Sequence, residues 1–138
     1  MGFTRYWSGD YSITPALVED VKAIIRNSNV SIKGPVGIGQ AILTTEKIQF
    51  NGSKSLDENY ETFTLALTDE DWKFCKTRRM PYDEVVTAVL LRVTHYNPEF
   101  SSEVDGDWVN DCKPGRELYE LTFGETPAKP HDMVESYS

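Results

Sequence analysis

The fold is decided by residues 81–95, which read PYDEVVTAVLLRVTH. Seven of the nine residues at positions 85–93 are apolar, and together they cover nearly every side of a helix. A helix of this kind is usually the central buried element of a small domain. Pro81 is typical of a helix start, and Pro98 predicts that the helix ends before it. We therefore predict a central apolar helix over these residues, Pro81–His95.

One charged residue interrupts this apolar helix. Burying the guanidinium of Arg92 alone would be costly, so the side chain must reach the surface or be paired with an acid. Asp83 lies too far along the same helix to serve as that acid. The sequence therefore predicts that the partner of Arg92 comes from another element.

A second helix is predicted upstream, where residues 13–29 read ITPALVEDVKAIIRNSN. Thr14 is suited to the N-cap position, and Pro15 is suited to the first helical position. Apolar residues recur at helical spacing and predict one buried face. We expect a helix over Thr14–Arg26 that lies beside the central helix. The residues of its buried face are Leu17, Val21, Ile24 and Ile25.

Two alternating segments predict a pair of antiparallel strands. Residues 45–52 read TEKIQFNG, and residues 61–67 read ETFTLAL. Asn51-Gly52 at the end of the first segment is a strong turn signal. Alternation in the second segment places three apolar side chains on one face of a strand. These are Phe63, Leu65 and Leu67.

The C-terminal third predicts one more helix and then a tail. Residues 114–124 read PGRELYELTFG, a pattern in which Leu118 and Leu121 face the core and Gly124 ends the helix. The residues after Gly124 are polar and contain proline, which predicts a flexible C-terminal tail over 125–138.

These elements predict a single compact α+β domain over residues 1–124. A length of 138 residues is typical of one domain. We expect an antiparallel sheet packed against the central apolar helix, with the N-terminal helix beside it. Several aromatic residues near the N-terminus should pack on this domain or on a second copy of it, which favours a homodimer. They are Phe3, Tyr6, Trp7 and Tyr11.

Composition excludes several classes of function. The net charge of −8 argues against bulk nucleic-acid binding, which needs clustered cations. No apolar run is long enough to span a membrane, and residues 1–12 contain no apolar leader, so a cytoplasmic protein is expected. Cys75 and Cys112 predict reduced thiols. With only His95 and His131 to join them, neither a zinc site nor any other cofactor is expected, and no catalytic residues are assigned.

The densest chemistry lies between Trp72 and Glu84. Four cations occur within residues 73–79, while the rest of the chain sums to −12. They run directly into a predicted helix start, where free backbone N–H groups favour anions. Aromatic residues beside them are suited to stacking on a base. The sequence thus predicts an anion-binding or nucleotide-binding site formed by Lys76, Thr77, Arg79 and Arg116, with Phe74 or Tyr82 as the stacking partner.

A structural explanation of the same cluster stays open. The cations can instead be paired with nearby acids, namely Asp69, Asp71 or Asp83. Asp83 and Glu84 also compete with a ligand for the N–H groups of the helix start.

Several blocks of this sequence resemble a family of uncharacterised small proteins found in phage and prophage genomes. The most specific block is FCKTRRMPYD, residues 74–83, which matches an F-C-K-T-x-R-x-P-Y-D pattern. DGDW at 105–108 and PGREL at 114–118 resemble the later segments of that family. The resemblance implies a phage origin, hence the cytoplasm of an infected bacterium, and it transfers no catalytic residues.

Three classes of function remain. The first is a phage-type accessory protein that binds an anionic small molecule without converting it, and so sequesters a host defence signalling nucleotide. The second is an acidic protein–protein interaction module that inhibits a host factor by occupying its cationic surface. The third, a small hydrolase, has the least support because the sequence offers no catalytic motif.

Overall fold

A computed structural model describes residues 3–67 and 73–137 of the chain. Residues 69–72, the acids and the tryptophan that precede the basic cluster, lie outside the described residues. The proposed pairing of those acids with the cations therefore stays a prediction. The elements in chain order are β1 Thr4–Ser8, α1 Pro15–Asn27, β2 Ile32–Lys33, a 3₁₀ turn Pro35–Gly37, β3 Ile42–Leu43, β4 Lys47–Gly52, β5 Phe63–Ala66, β6 Phe74–Lys76, α2 Asp83–Tyr96, β7 Ser101–Val104, α3 Trp108–Asp111 and α4 Lys113–Phe123.

The architecture is α+β with antiparallel sheets, as the sequence predicts. In the first sheet β1 lies between β6 and β7. In the second, β4 pairs with β2, β3 and β5, and β3 and β5 lie on opposite edges of it because both pair with Ile48 and Gln49. Helix α2 packs against α1 and α4, and its side chains at positions 85–91 and 93 are buried. The fully buried apolar residues include Leu17, Val21, Ile24, Ile48, Phe50, Phe63, Leu65, Val85, Val89 and Phe100.

Helix α1 forms as its sequence predicts. The backbone N–H of Leu17 donates to the Thr14 hydroxyl at 3.1 Å, so Thr14 is the N-cap, and Pro15 occupies the first helical position. The buried face includes Leu17, Val21 and Ile24, and the helix ends at Asn27.

Helix α2 begins two residues later than predicted, at Asp83 rather than Pro81. The N–H of Asp83 closes a turn onto the carbonyl of Met80 at 2.8 Å, and helical hydrogen bonding starts only with the Tyr82 carbonyl. Pro81 therefore belongs to the turn before the helix.

Arg92 has partners on other elements, which confirms the prediction for it. Its Nε donates to Asp20 Oδ2 on α1 at 2.8 Å, and its Nη1 donates to the Tyr119 hydroxyl on α4 at 2.9 Å. The guanidinium also lies 3.8 Å from the centre of the Phe123 ring. The side chain of Arg92 therefore joins the three long helices.

Two predicted core positions are wrong. Leu67 is 54% exposed because β5 ends at Ala66, so the alternation of the strand does not extend to it. Leu121 is 70% exposed, whereas Leu118 and its neighbour Tyr119 are buried. The inward face of α4 therefore carries Leu118 and Tyr119, and the apolar side chain of Leu121 lies on the outer face.

Asn51-Gly52 is the end of β4 rather than a turn. The Asn51 amide donates to the carbonyl of Tyr60 at 3.0 Å and to the Thr62 hydroxyl at 3.1 Å, so it holds together the loop that joins β4 to β5. A Cβ on Gly52 would come within 2.1 Å of the Glu58 carbonyl oxygen. Glycine is required here by close backbone approach rather than by a turn.

The N-terminal aromatic residues lie mainly inside the domain. Phe3 and Trp7 are buried, and the Trp7 ring meets the Phe63 ring edge-on at 5.2 Å. Tyr6 is partly exposed on the opposite face of β1. Packing within one chain accounts for Phe3 and Trp7, and the homodimer stays a prediction.

The segment predicted to be a flexible tail, 125–138, makes contacts over its described part, 125–137. The N–H groups of Trp108 and Val109 in the first turn of α3 donate to the carbonyls of Val134 and Glu135 at 2.7 and 3.0 Å. Helix starts leave such N–H groups without partners inside the helix. Pro127, Pro130 and Met133 are buried, so the segment adds three side chains to the interior.

Candidate functional site

A buried ion pair organises the region of the predicted site. Arg5 on β1 is only 2% exposed, and its Nε and Nη2 donate to the two carboxylate oxygens of Asp83, each at 2.9 Å. Nη1 donates to Cys112 Sγ at 3.2 Å, and Nη2 also donates to the Asp111 carbonyl at 2.7 Å. Burial acts to lower the pKa of Arg5, but the charge and hydrogen bonds of Asp83 outweigh it and raise that pKa. Arg5 thus joins β1, the start of α2 and the end of α3.

Two predicted ligand residues lie inside this framework. Thr77 is fully buried, and its hydroxyl donates to Asp83 Oδ1 at 2.7 Å. Tyr82 is also fully buried, and its hydroxyl donates to the Glu61 carbonyl at 2.6 Å. Burial is the main reason that the pKa of Tyr82 is raised. The polar atoms of both side chains are engaged in holding the fold.

A strained turn divides the basic cluster. Arg78 and Arg79 both have left-handed backbone, with φ of 52° and 59°, a conformation that costs about 1–2 kcal/mol per non-glycine residue. The turn is tied to β1, since the N–H groups of Thr77 and Arg78 both donate to the Phe3 carbonyl, at 3.0 and 3.2 Å. Because of this turn, the two neighbouring arginines contact different parts of the protein.

Arg79 lies toward α3. Its guanidinium lies 3.9 Å from the centre of the Phe3 ring and forms an ion pair with Asp111 at 2.7 Å. A cleft of about 310 Å³ beside it is lined by Asp83, Glu84 and Asp111 as well as by Arg79. Burial, and then the charges of Asp83 and Glu117, raises the pKa of Glu84. The acids of this cleft oppose the binding of an anion.

The three cations predicted to converge do not share this cleft, since Arg79 lines it but Lys76 and Arg116 do not. Arg116 is engaged locally, where its Nη2 donates to the Val109 carbonyl at 2.7 Å and its guanidinium lies 5.2 Å from the centre of the Trp108 ring. The guanidinium of Arg116 therefore braces the short helix α3.

Phe74 and Lys76 lie on another surface, at the point where the two sheets come into contact and then diverge. They share the exposed face of β6, with buried Cys75 between them. The sheets touch at Glu61, whose N–H donates to the Lys76 carbonyl at 3.2 Å and whose Oε1 accepts the Lys76 N–H at 2.7 Å. Beyond this contact β5 pairs with β4 and β6 pairs with β1, so the two strands are not paired with each other.

A groove lies between the two sheets at this point. We call it the β5–β6 groove; it has a volume of about 290 Å³ and is lined by Gln49, Glu61, Thr62, Thr64 and Phe74. Phe74 is 37% exposed, and Lys76 follows it on the same face of the strand. Arg78 comes two residues later, with its guanidinium 5.0 Å from the centre of the Tyr60 ring. The groove therefore combines an aromatic wall, polar side chains and neighbouring cations.

Hydrogen bonds fix the polar wall of the β5–β6 groove. Gln49 Nε2 donates to the Thr64 hydroxyl oxygen at 3.0 Å. The Thr62 hydroxyl oxygen accepts two hydrogen bonds, from the N–H of Val36 at 2.9 Å and from the Asn51 amide at 3.1 Å. These side chains are therefore held in defined positions rather than left free on the surface.

Cys75 and Cys112 are free and buried. Burial, and then the charge of Glu61, raises the pKa of Cys75 to about 12. Burial also raises the pKa of Cys112, although the Arg5 guanidinium acts in the opposite direction. Since the thiolate is the reactive form, neither cysteine is suited to act as a nucleophile near neutral pH.

Two further findings concern metals and membranes. Within residues 3–67 and 73–137, no group of three or more His, Cys, Asp and Glu residues is arranged to hold a metal ion. No helix in that part of the chain is long and apolar enough to cross a membrane.

Sequence reasoning missed the polar wall of the β5–β6 groove. Gln49, Thr62 and Thr64 are polar positions in or beside the two alternating segments, so the pattern alone placed them opposite the core. Nothing in that pattern says that β5 and β6 separate and leave a groove.

Comparison with protein-family models, with curated proteins and with solved structures found no significant match to this chain.

Proposed function

We propose that the protein binds an anionic small molecule without converting it, and that the ligand is a nucleotide held in the β5–β6 groove. The observation that carries this proposal is the position of Phe74 in the wall of that groove, with Lys76 on the same face of the strand. A volume of about 290 Å³ is at the lower end of ligand sites, which span roughly 300–1,000 Å³. A base and its sugar suit a groove of this size better than a large ligand does.

Charge supports the same surface. The acidic cleft beside Arg79 opposes an anion, and Arg5 is enclosed by its partners. Lys76 and Arg78 are exposed, and Arg78 presents its guanidinium against the Tyr60 ring. A cation held against an aromatic ring at the surface is suited to both phosphate and stacking contacts. The phosphate of the ligand would lie toward these two residues.

The proposed role is sequestration. The resemblance of the FCKTRRMPYD block suggests a phage accessory protein that acts in the cytoplasm of its host. A protein that binds a host defence signalling nucleotide and does not hydrolyse it lowers the free concentration in proportion to its own abundance. Such a role requires tight binding and no turnover.

Calorimetric titration with a panel of cyclic nucleotides, nucleoside monophosphates and ADP-ribose tests this proposal. We expect one class to bind and to raise the melting temperature. Lys76→Gln should weaken that binding severalfold without unfolding the protein, since exposed charges contribute only about 0–1 kcal/mol to stability. Lys113→Gln, an exposed lysine at the start of α4, is the matched control and should bind as the wild type does. No heat and no melting shift across the panel would exclude the nucleotide function.

The acidic interaction module is the second candidate. An open cleft of about 460 Å³ is lined by Asp10 and Glu99 together with Tyr11 and Tyr96. Carboxylates beside aromatic rings complement lysine and arginine side chains of a host protein. Double substitution of Asp10→Asn with Glu99→Gln should abolish binding of such a basic host factor and leave nucleotide titrations unchanged. Within residues 3–67 and 73–137, the hydrolase alternative has no comparable arrangement of groups in its favour.

A further inference from the structure

We propose that the β5–β6 groove selects a purine whose edge carries two adjacent hydrogen-bond donors, as guanine does, through the carboxylate of Glu61. This inference rests on the nucleotide-binding function proposed above and specifies its ligand class. It follows from the hydrogen-bonding capacity that remains on the wall of the groove.

Glu61 supplies acceptors only. One carboxylate oxygen, Oε1, accepts the Lys76 N–H at 2.7 Å, which fixes the orientation of the side chain. A carboxylate offers about four lone-pair sites and no proton. Among the described residues the second oxygen, Oε2, has no hydrogen-bond donor, so this oxygen is available to a ligand in the groove that Glu61 lines.

The threonines supply donors. The hydroxyl oxygen of Thr62 already accepts two N–H groups, from Val36 and Asn51, so both of its lone pairs are in use and only its proton remains. The Thr64 hydroxyl oxygen accepts one hydrogen bond, from the Gln49 amide, which leaves its proton and one lone pair. The wall therefore presents the Glu61 carboxylate, an acceptor only, beside two threonine hydroxyls and the side-chain amide of Gln49.

This pattern is complementary to guanine. The base carries two neighbouring donors, N1–H and the N2 amino group, which a single carboxylate can accept together, and the adjacent O6 accepts from a hydroxyl. Adenine places a ring acceptor, N1, beside its one amino donor, so that acceptor would face the carboxylate. Hydrogen bonds to a charged group are roughly twice as strong as those between neutral groups, so the loss of one lowers affinity by about tenfold or more. Roughly tenfold or greater preference for guanine is therefore expected.

The position of Glu61 also orients the ligand. A carboxylate repels phosphate, so Glu61 must contact the base. The phosphate must then lie toward the cations on β6 and in the strained turn. Lys76 and Arg78 are exposed cations close to Phe74 in the chain, Lys76 on the same face of β6 and Arg78 against the Tyr60 ring. Phe74 then lies against the base rather than against the phosphate.

Titration calorimetry with guanosine, inosine and adenosine 5′-monophosphates tests the inference. Wild-type protein should bind the guanine nucleotide at least tenfold tighter than the adenine nucleotide, with the inosine nucleotide between them because it lacks the N2 amino group. Glu61→Gln keeps an acceptor for the Lys76 N–H but loses the second carboxylate acceptor, so it should fold and should bring the three affinities within about threefold of one another. Glu46→Gln, an exposed acid in the β3–β4 turn, is the control and should keep the wild-type preference.

The outcomes separate the two proposals. Equal affinity for guanine and adenine nucleotides overturns the selectivity and leaves the nucleotide function standing. An equal loss for all three nucleotides in Glu61→Gln also overturns it, because Glu61 would then support the groove without contacting the base edge. No binding of any nucleotide overturns both.

Discussion

Removing the carboxylate of Asp83 should destabilise the protein more than most single substitutions. In Asp83→Ala the Nε and Nη2 atoms of Arg5 lose their carboxylate acceptors, and the Thr77 hydroxyl loses its acceptor. Among the described residues Arg5 would keep the Cys112 sulfur and the Asp111 carbonyl as hydrogen-bond acceptors and the Phe3 ring at 5.4 Å, none of which carries a negative charge. Leaving a buried charge without its counter-charge costs about 3–5 kcal/mol. For a domain of this size that corresponds to a fall in melting temperature of roughly 10–20 °C.

Urea denaturation followed by circular dichroism measures this loss, and Glu120→Ala provides the control, since that side chain is exposed on α4. The double variant Asp83→Ala with Arg5→Met tests the cause. Because it removes the stranded charge, it should recover much of the stability lost in the single variant. A single variant within about 1 kcal/mol of wild type would refute the argument, and so would a double variant whose losses simply add.

Three other predictions concern stability. Val89→Asp places an unpaired carboxylate in the centre of α2 and should cost about 3–5 kcal/mol in chemical denaturation, whereas a variant that melts within a few degrees of wild type would contradict the burial of α2. Leu118→Ala should cost about 2–5 kcal/mol, while Leu121→Ala, on the exposed face of α4, should stay within about 0.5 kcal/mol. Burial favours the neutral thiol of Cys75 and raises its pKa from about 9 in the unfolded chain to about 12. The resulting contribution to stability is full below pH 9 and is lost as the pH rises to about 12. Denaturation between those pH values should therefore show a shallower loss of stability in Cys75→Ala than in wild type.

The sequence predicts the helical framework well because the signals there are local. Thr14 and Pro15 define the start of α1 through a cap and a fixed φ, and neither depends on the rest of the fold. The apolar run of α2 is long enough to be read as buried in any small domain. The need of Arg92 for a partner is equally local, although the identity of that partner, Asp20, is known only from the packing of α1 on α2.

Errors arise where an alternating pattern continues past the end of its element. Leu67 continues the alternation of β5, but the strand ends one residue earlier. Asn51-Gly52 has the composition of a hairpin turn, but close approach of the Glu58 backbone and the hydrogen bonds of Asn51 use the same two residues to hold a longer loop. Tertiary contacts, which no local pattern contains, decide the second case.

The candidate site divides along the same line. Charge density marks the stretch from Lys73 to Arg79 as unusual, but it cannot say which cations face outward. Asp83, which the sequence offers as a competitor for the cluster, pairs instead with Arg5, a cation that no local pattern associates with it. Of the predicted ligand residues, Phe74 lines the groove and Lys76 shares its face of β6, while Thr77 and Tyr82 are built into the fold.

The strained turn provides the sharpest separation between stability and function. Arg78 is held at φ of 52°, where an arginine costs about 1–2 kcal/mol more than a glycine. In the folded protein this cost is offset in part by an exposed cation–π contact between Arg78 and Tyr60, which contributes about 0.5–1 kcal/mol. Arg78→Gly should therefore leave the free energy of unfolding within about 1 kcal/mol of wild type. If Arg78 contacts the phosphate of a ligand, Arg78→Gly should weaken nucleotide binding severalfold in calorimetric titration. A variant that loses more than about 2 kcal/mol of stability and keeps full affinity would show that the turn is structural, and the cationic side of the proposed groove would then rest on Lys76 alone.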